Sequence, residues 1–198
     1  MKNPQLAADV ERLNDSFGLL PDPVAKPAFV AVSGLPGAGK SYFCGKLAER
    51  LPFIVLESDT LRKVLFSPLS YSPEESQRLF RAVHLLIERL LKKGVSLIFD
   101  ATNLSERYRE YLYSIADRLD VKLILVRVEA PSQVVRGRLE RRLENSGSKS
   151  DADWVIYQRM KSSVEKIQRK HYAVDTSRDI TPVLDKIVKE VRHLKLTI

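Results

Sequence analysis

The residues with the clearest chemistry in this chain form one short glycine-rich segment. They are Gly34, Leu35, Pro36, Gly37, Ala38, Gly39, Lys40 and Ser41. This order fits the G-x-x-x-x-G-K-[ST] pattern of a P-loop, in which glycines let backbone N–H groups approach phosphates. Lys40 is expected to reach the β- and γ-phosphates of a nucleotide, and the Ser41 hydroxyl to bind Mg²⁺. The segment therefore predicts a site for ATP and Mg²⁺.

The residues around the loop favour nucleotide binding over a glycine-rich turn that binds nothing. Residues 29–33 before it are a short apolar run that predicts a buried strand, and residues 42–50 after it have the apolar spacing of a helix. A strand before the loop and a helix after it are the context in which this pattern binds phosphate. The positive end of that helix would lie at the phosphates, and Tyr42 in its first turn is expected to belong to the nucleotide site.

Two charged residues follow the second predicted strand, residues 53–56. Ligands of a parallel sheet bind beyond the carboxyl ends of its strands, so Asp59 and Arg62 are expected at the same edge as the P-loop. Asp59 is a candidate base that takes the proton of a hydroxyl attacking a γ-phosphate. Arg62 is a candidate to hold an anionic group of the substrate or to orient Asp59. The alternative is that Ser58 or Asp59 simply caps the helix that follows.

A third group of polar residues follows the third predicted strand, residues 95–99. Asp100 ends that strand and resembles the aspartate that supports Mg²⁺ in P-loop enzymes, although it could also position the substrate. Thr102 and Asn103 come next and are expected to contact the substrate. The alternative for this segment is that Asn103 or Ser105 caps the next helix.

An arginine-dense segment follows the fourth predicted strand. Its arginines are Arg136, Arg138, Arg141 and Arg142. Phosphoryl transfer requires negative charge to be neutralised, and arginines of a closing lid can do this. Arg138 and Arg142 lie four residues apart and share a helix face, which predicts a lid at about 132–150 ending in a Gly/Ser-containing loop. The alternative is a solvated basic helix whose arginines pair with Glu140 and Glu144.

Alternating apolar strands and amphipathic helices predict the elements that position these residues. The strands are predicted at 29–33, 53–56, 95–99, 121–128 and 172–174. Besides the lid, helices are predicted at 4–17, 42–50, 72–90, 108–119, 183–194 and from about 151 to 170. This order is typical of an α/β fold with a parallel sheet and helices on both faces. A proline-rich stretch at 21–27 predicts an N-terminal helical arm at 1–26 and a main domain at 27–198.

Composition narrows the class of protein. Of the 198 residues, 44% are hydrophobic and 29% are charged, and no apolar run is long enough to cross a bilayer. The N-terminus lacks the apolar stretch of a secretion signal and Cys44 is the only cysteine, so we expect a cytoplasmic protein with no membrane partner. The net charge of +8 suits anionic ligands, and equally a soluble surface rich in lysine. His84 falls near an apolar helical stripe and is expected to pack in the interior.

Taken together, the motifs resemble those of a known family. They are Gly-Leu-Pro-Gly-Ala-Gly-Lys-Ser at 34–41, Ser-Asp-Thr-Leu-Arg at 58–62, Phe-Asp-Ala-Thr-Asn at 99–103, Ala-Pro at 130–131, Ser-Asp-Ala-Asp at 150–153 and Val-Asp-Thr-Ser at 174–177. The set is similar to the P-loop kinases labelled "AAA domain" or "predicted kinase". Relatives of that family are polynucleotide 5′-hydroxyl kinase, chloramphenicol phosphotransferase and the zeta toxins. The resemblance covers residues 28–178 and implies a three-layer P-loop fold with five parallel strands and an arginine-rich lid.

The resemblance also implies roles for single residues. Lys40 and Ser41 would serve ATP·Mg²⁺, Asp59 would be the base, and Arg62 would lie at the acceptor site. Asp100 would form the floor of the site, and Arg138 and Arg142 would be lid arginines. Near the adenine would lie Asp175, Thr176 and Ser177.

The function predicted from the sequence is transfer of the γ-phosphoryl group of ATP to a hydroxyl. The acceptor is either a small molecule or the 5′-hydroxyl of a nucleic acid, and the sequence does not predict an oligomeric state. One alternative is a zeta-toxin-like kinase that acts on a sugar nucleotide. Another is an ATP-binding regulatory module without kinase activity. A GTPase switch is disfavoured because the Asn-Lys-x-Asp motif that reads guanine does not occur.

Overall fold

Five short segments rich in apolar residues form the strands of one sheet in the computed structural model, which describes residues 4–144 and 153–196. The strands are β1 (Ala28–Ser33), β2 (Ile54–Glu57), β3 (Leu97–Asp100), β4 (Lys122–Glu129) and β5 (His171–Asp175). The helices are α1 (Pro4–Asp15), α2 (Lys40–Ala48), α3 (Ser58–Leu65), α4 (Pro73–Lys92), α5 (Glu106–Arg118), α6 (Ser132–Glu144), α7 (Trp154–Lys161) and α8 (Thr181–Leu196).

All neighbouring strands run parallel, in the order β2-β3-β1-β4-β5. Parallel strands need long crossover connections, and here helices supply them. β1 and β3 are buried along their whole length, which explains why both read as continuous apolar runs rather than as alternating ones. The predicted α/β fold with a five-stranded parallel sheet is confirmed.

The sheet separates two apolar cores. Successive side chains of a strand point to opposite faces, so Phe29 and Ala31 belong to one core while Val30 and Val32 belong to the other. The first core also contains buried residues of α1, α3, α4 and α5, and the second contains those of α2 and α8. The molecule is therefore a three-layer fold in which helices cover both faces of the sheet.

The strand register brings two acidic residues together at the carboxyl edge of the sheet. Glu57 at the end of β2 pairs with Asp100 at the end of β3, and Asp100 also pairs with Val32 of β1. β1 leads directly into the P-loop. Both carboxylates are therefore placed at the edge where the glycine-rich segment begins.

The helix predicted from about 151 to 170 is shorter than expected. Asp153 caps α7 by accepting a hydrogen bond from the backbone N–H of Ile156 at 2.8 Å, and residues 151–152 lie outside the described part of the chain. At the other end, the hydroxyls of Ser162 and Ser163 donate to the carbonyls of Arg159 and Met160. These side chains compete for the backbone groups that would continue the helix.

The N-terminal helix α1 packs on the first core. Val10 and Leu13 are buried there, and the carboxylate of Asp9 accepts two 2.7 Å hydrogen bonds from Arg78 of α4. The division into an arm at 1–26 and a domain at 27–198 stays a prediction. Of the helices in residues 4–144 and 153–196, none is both long and apolar enough to span a bilayer.

Candidate active site

The P-loop has a backbone shape that requires glycine at two positions. Gly37 and Gly39 have φ angles of 75° and 96°, in the left-handed region. A Cβ atom at Gly39 would lie 2.8 Å from the hydroxyl of Thr176, and one at Gly37 would lie 2.8 Å from a methyl group of Val135. The loop is thus enclosed by the segment after β5 and by helix α6. α2 begins at Lys40, so its N-terminal N–H groups lie at the loop.

The two reactive side chains of the loop lie beside acidic groups. The Lys40 ammonium donates to the carbonyl of Leu35 at 3.2 Å, and the Ser41 hydroxyl donates to the carboxylate of Glu57 at 3.2 Å. Burial lowers the pKa of Lys40, while the negative charges of Asp100 and Asp59 oppose that shift. The negative charges of both carboxylates therefore stabilise the protonated form of Lys40.

Asp100 is a buried carboxylate with one oxygen that makes no hydrogen bond. It is buried, and its Oδ2 atom has no hydrogen-bond partner among the described residues. Burial raises the pKa of Asp100, and the positive charge of Lys40 opposes that shift. With Ser41 and Glu57 it forms a set of oxygen donors, the ligand type that Mg²⁺ prefers. Within the described residues no three His, Cys, Asp or Glu side chains cluster as metal ligands, so a Mg²⁺ ion here would also need phosphate oxygens.

Asp59 lies in the first turn of α3. The residue at the cap position of that helix is Glu57, whose side chain makes no capping hydrogen bond. The alternative that Ser58 or Asp59 caps α3 is therefore wrong. Asp59 lines the same cavity as Lys40 and Ser41, which leaves its carboxylate available for chemistry.

Arg62 pairs with Glu75 of α4 instead of orienting Asp59. The guanidinium of Arg62 donates to the Glu75 carboxylate at 2.6 Å and to the Ser76 hydroxyl at 3.2 Å, and both charged groups are buried. Burial alone would raise the pKa of Glu75, but hydrogen bonds from Arg62 and Ser70 outweigh it and lower that pKa to about 2. Ser72 caps α4 as predicted, by accepting from the Glu75 N–H at 3.1 Å. This cap holds Glu75 in place for the ion pair.

The segment after β3 is held by side chains that bond to its backbone. The amide of Asn103 is buried and donates to the carbonyl of Val32 at 2.8 Å, so it links the segment to β1. Thr102 lines the cavity, and its carbonyl accepts from the N–H of Gly34 at 3.0 Å. Substrate contact by Thr102 and Asn103 stays a prediction, and the Asn103 amide already has a structural partner.

The cap of α5 comes from outside that helix. Ser105 occupies the cap position, but its side chain makes no capping bond, and the N–H of Glu106 donates instead to the Glu165 carboxylate at 2.5 Å. The alternative that Asn103 or Ser105 caps this helix is therefore correct for the position of Ser105 but wrong for the capping bond, which the Ser105 side chain does not make. Glu165 also lines the cavity.

Arg109 is a fully buried residue that sequence reasoning missed. Its guanidinium donates to the carbonyls of Asn103, Leu104, Glu165 and Lys166 at 2.7–3.0 Å, and to the carboxylate of Glu106 at 2.8 Å. It therefore ties the segment after β3 to the segment after α7. A single arginine in an amphipathic helix gives no sequence signal of such a role.

Helix α6 lies over the P-loop, and its two candidate arginines have different surroundings. Arg138 donates to the carbonyl of Gly37 at 3.3 Å and to Thr176. Arg142 lines the cavity, and its charge contributes to the lowered pKa of Lys40. Arg136 pairs with Glu140 in solvent. The rest of the predicted lid, from 145 to 150, lies outside the described residues.

The three residues expected near the adenine form a turn beside the P-loop. Thr176 is buried, and its hydroxyl donates to the carbonyl of Ala38 at 2.6 Å. Asp175 accepts from the N–H and the hydroxyl of Ser177 at 2.9 and 2.7 Å. The contact with Ala38 fixes this turn against the loop.

One cavity of about 670 Å³ joins these groups to a second compartment. At one end it is lined by Pro36, Gly37, Gly39, Lys40, Ser41, Glu57, Asp100 and Arg142, with Asp59 also on its wall. Elsewhere its lining includes side chains of α4, α5 and α7, among them Phe80, Tyr108 and Met160, together with residues of the segments after β3 and after α7. Sequence reasoning missed this second group and Glu57, because nothing local marks side chains that converge from separate helices.

The chain is similar to named kinases in sequence and in structure. It is 33% identical over 85 residues to a probable adenylyl-sulfate kinase of Pyrococcus abyssi, covering 40% of this chain and 49% of that protein. It is 30% identical over 119 residues to an adenylyl-sulfate kinase of Paraburkholderia xenovorans, covering 58% and 65%. The chain thus spans about half to two thirds of the length of these relatives.

A solved structure has the same fold, and a match to a family model identifies the protein family. The APS kinase CysC of Mycobacterium tuberculosis, in complex with AMPPNP and APS, superposes with a TM-score of 0.64 at 18% identity, covering 86% of this chain and 99% of that one. Residues 29–167, more than half of the chain, match the family described as AAA domain. The chain therefore belongs to this family of P-loop, kinase-like proteins.

Proposed function

We propose that this protein is an ATP-dependent kinase that transfers the γ-phosphoryl group to a hydroxyl of a small molecule. The observation that carries the proposal is the shared cavity. Lys40, Ser41 and Asp59 line the same space of about 670 Å³, and Asp59 lies inside the first turn of α3 rather than at its cap position. A phosphate-binding loop and an available carboxylate in one cavity are the parts that phosphoryl transfer to a hydroxyl needs.

Each residue has a defined task in this reaction. Lys40, Arg142 and the N-terminus of α2 would bind the phosphates, with Ser41 and Asp100 holding Mg²⁺ directly or through water. A bound Mg²⁺ ion would neutralise phosphate charge. Asp59 would take the proton of the acceptor hydroxyl while the oxygen of that hydroxyl forms a bond to the γ-phosphorus. The bond from that phosphorus to the β–γ bridging oxygen breaks, and ADP leaves with the electron pair.

A small-molecule acceptor has more support than a nucleic acid. The two sequence relatives are named as kinases of adenylyl sulfate, and the neighbouring structure holds AMPPNP and APS. These names give no support for the nucleic-acid acceptor that the sequence left open. The cavity also has the size of an ordinary small-ligand site.

A screen for phosphoryl transfer tests the proposal. Purified protein with ATP and Mg²⁺ is offered nucleosides, sugars, aminoglycosides and oligonucleotides, and ADP and phosphorylated product are both measured. We expect product with at least one small-molecule class, and loss of product in Lys40→Ala. Lys46→Ala is the matched control, because Lys46 lies on the surface of the same helix and pairs with Glu49. Tight ATP binding without transfer to any acceptor would contradict the proposal and favour a regulatory module.

A further inference from the structure

The second part of the cavity has a composition that restricts its occupant. We call it the acceptor compartment and define it by Arg62, Tyr71, Ser76, Phe80, His84, Tyr108, Ile156 and Met160. Four of these eight residues are aromatic and two are aliphatic, while the phosphate end of the cavity is mostly polar. Such a division between a polar and an apolar part is typical of a site that binds an amphipathic ligand.

Rings from two helices form a continuous aromatic surface in this compartment. Phe80 of α4 lies with its ring centroid 5.8 Å from that of Tyr108 of α5 and 6.3 Å from that of His84. The planes of these pairs are tilted by 35° and 31°. Tyr108 is 48% exposed, so much of its ring has no protein covering it. A planar ring of a ligand would cover apolar area and gain aromatic contacts here.

The charge of the compartment is already compensated. Arg62 is its only permanent cation among the described residues, and it is paired with the Glu75 carboxylate at 2.6 Å. Glu75 also accepts from the N–H and hydroxyl of Ser70, so the pair is firmly held. The other cations that line the cavity in the described part of the chain are Lys40 and Arg142, at the phosphate end. An anionic acceptor would find no unpaired cation in this compartment.

One polar atom in the compartment still lacks a partner. The Nε atom of Arg62 is buried and makes no hydrogen bond within the described structure. Unsatisfied buried donors are rare, so the Nε atom calls for a partner that the chain itself does not supply. His84 would not add a charge, because burial lowers its pKa to about 4 and keeps the ring neutral near pH 7.

We propose that the acceptor is an uncharged alcohol that carries a planar aromatic ring. The inference rests on the kinase function proposed above. The ring lies against Phe80 and Tyr108, an oxygen of the acceptor accepts from Arg62 Nε, and the reacting hydroxyl lies at Asp59. That hydroxyl loses its proton to Asp59 and gains the γ-phosphoryl group, and ADP is released. The acceptor thus differs from adenylyl sulfate, whose phosphosulfate group is anionic.

A panel that varies ring and charge independently tests this inference. Nucleosides and phenyl glycosides carry a ring without charge, nucleoside 5′-monophosphates and adenylyl sulfate carry a ring and an anion, sugars carry neither, and sugar phosphates carry only the anion. We expect kcat/KM for the best uncharged ring compound to exceed every other class by about tenfold or more, the size of effect that aromatic contact supports. A best acceptor that is anionic or has no ring would overturn the inference and leave the kinase function intact. Transfer to no compound of any class would overturn the kinase proposal, and this inference with it.

Variants locate the effect in the compartment. Tyr108→Ala should lower kcat/KM for ring acceptors about tenfold and leave the KM for ATP unchanged. Phe80 also packs against the first core, so the half-exposed Tyr108 is the better position to change. Leu85→Ala is the control, since Leu85 is 43% exposed on α4 and does not line the cavity. Equal activity of Tyr108→Ala and the control would overturn the ring contact.

The charge argument has its own variant. Glu75→Gln removes the negative charge that compensates Arg62 and should raise kcat/KM for adenosine 5′-monophosphate relative to adenosine by about tenfold. The ratio is measured within one variant, so a general loss of folded protein cancels. An unchanged ratio in a folded Glu75→Gln protein would show that the Arg62–Glu75 pair does not set the charge preference. The Tyr108→Ala comparison decides the ring contact even where Glu75→Gln does not fold.

Discussion

Arg138 of α6 donates two hydrogen bonds to Thr176, one to its hydroxyl at 2.8 Å and one to its carbonyl at 2.9 Å. The same Thr176 hydroxyl donates to the carbonyl of Ala38 in the P-loop. Helix α6, the turn after β5 and the P-loop are therefore one hydrogen-bonded unit. Arg142, one helical turn further on, instead lines the cavity near Lys40. Of these two arginines on one helix, Arg138 therefore holds the P-loop in place and Arg142 lines the cavity.

The first prediction separates these two arginines. We expect Arg142→Ala to lower kcat by roughly 10³-fold, the low end for an arginine that stabilises transition-state charge. Arg138→Ala should instead raise the KM for ATP about tenfold, because it loses charge-assisted hydrogen bonds that hold the loop. Steady-state kinetics of both variants, with ATP and acceptor varied in turn, measure the difference.

Arg136→Ala is the control for both arginines, because Arg136 pairs with the exposed Glu140 and touches neither the P-loop nor the cavity. The kinetics of Arg136→Ala should match those of the wild-type protein. Near-normal activity of an Arg138→Ala/Arg142→Ala double variant would leave α6 as a solvated basic helix.

The second prediction concerns Asp59. Asp59→Asn keeps the shape of the side chain but removes its ability to take a proton, so kcat should fall by roughly 10²-fold or more. The melting temperature should hardly change, because Asp59 does not cap α3. Calorimetry with an ATP analogue should show unchanged nucleotide binding. A loss of stability that accounts for the loss of turnover would point to a structural role.

The sequence predicted the fold well because its main signals are local. Each strand lies within a few residues of an apolar run, and Ser72 followed by Pro73 marks the start of α4 correctly. The exception is α7, whose end depends on Ser162 and Ser163 bonding back to the helix. The spacing of apolar residues does not show that serine hydroxyls will compete with backbone N–H groups for the carbonyls at the end of a helix.

The candidate site was predictable only where residues follow a strand or form a motif. The P-loop, Asp59 and Asp100 all satisfy that condition, and the structure places them on one cavity or at its edge. The pairing of Arg62 with Glu75 was not predictable, because it joins two helices whose relative placement is set by the core. The aromatic wall of Phe80 and Tyr108 arises in the same way.

The third prediction concerns Mg²⁺. Ser41 donates to Glu57, and the paired strands place Glu57 beside Asp100. We expect Ser41→Ala and Glu57→Gln each to raise the Mg²⁺ concentration for half-maximal activity about tenfold or more, since groups around a metal contribute this much to its binding. Mg²⁺ titrations at fixed ATP measure the shift. Thr60→Val, which removes only the second partner of Glu57, should have a smaller effect. An unchanged Mg²⁺ requirement in Ser41→Ala would contradict the assignment.

The fourth prediction is a pH dependence of stability. Burial lowers the pKa of His84 from 6.5 to about 4 in the folded protein. Below pH about 6.5 the unfolded chain takes up a proton that the folded chain does not, so stability present above that pH is lost as pH falls toward 4. The loss approaches about 3 kcal/mol.

Urea denaturation of the unchanged protein and of His84→Gln, at about pH 7 and about pH 4.5, isolates this contribution because other titrations cancel. On going from the higher to the lower pH, the free energy of unfolding should fall more for the unsubstituted protein than for His84→Gln. A difference that does not change with pH would show that His84 titrates normally in the folded state.

The fifth prediction concerns Arg109. Its planar guanidinium bonds to four carbonyls and to Glu106 at once, and it is almost completely buried. The ammonium of a lysine cannot match this geometry, so Arg109→Lys should lower the free energy of unfolding by at least about 3 kcal/mol. Arg107→Lys, at an exposed position of the same helix, is the control.

Amide exchange locates the damage, because Arg109 joins the segment after β3 to the segment after α7. The N–H of Gly34 donates to Thr102, and the N–H of Glu165 donates to Leu104. Both amides should exchange faster in Arg109→Lys, while those of the second core, on the far face of the sheet, should follow only the global loss of stability. Uniform acceleration across the chain, or stability equal to that of Arg107→Lys, would show that Arg109 does not hold these two segments together.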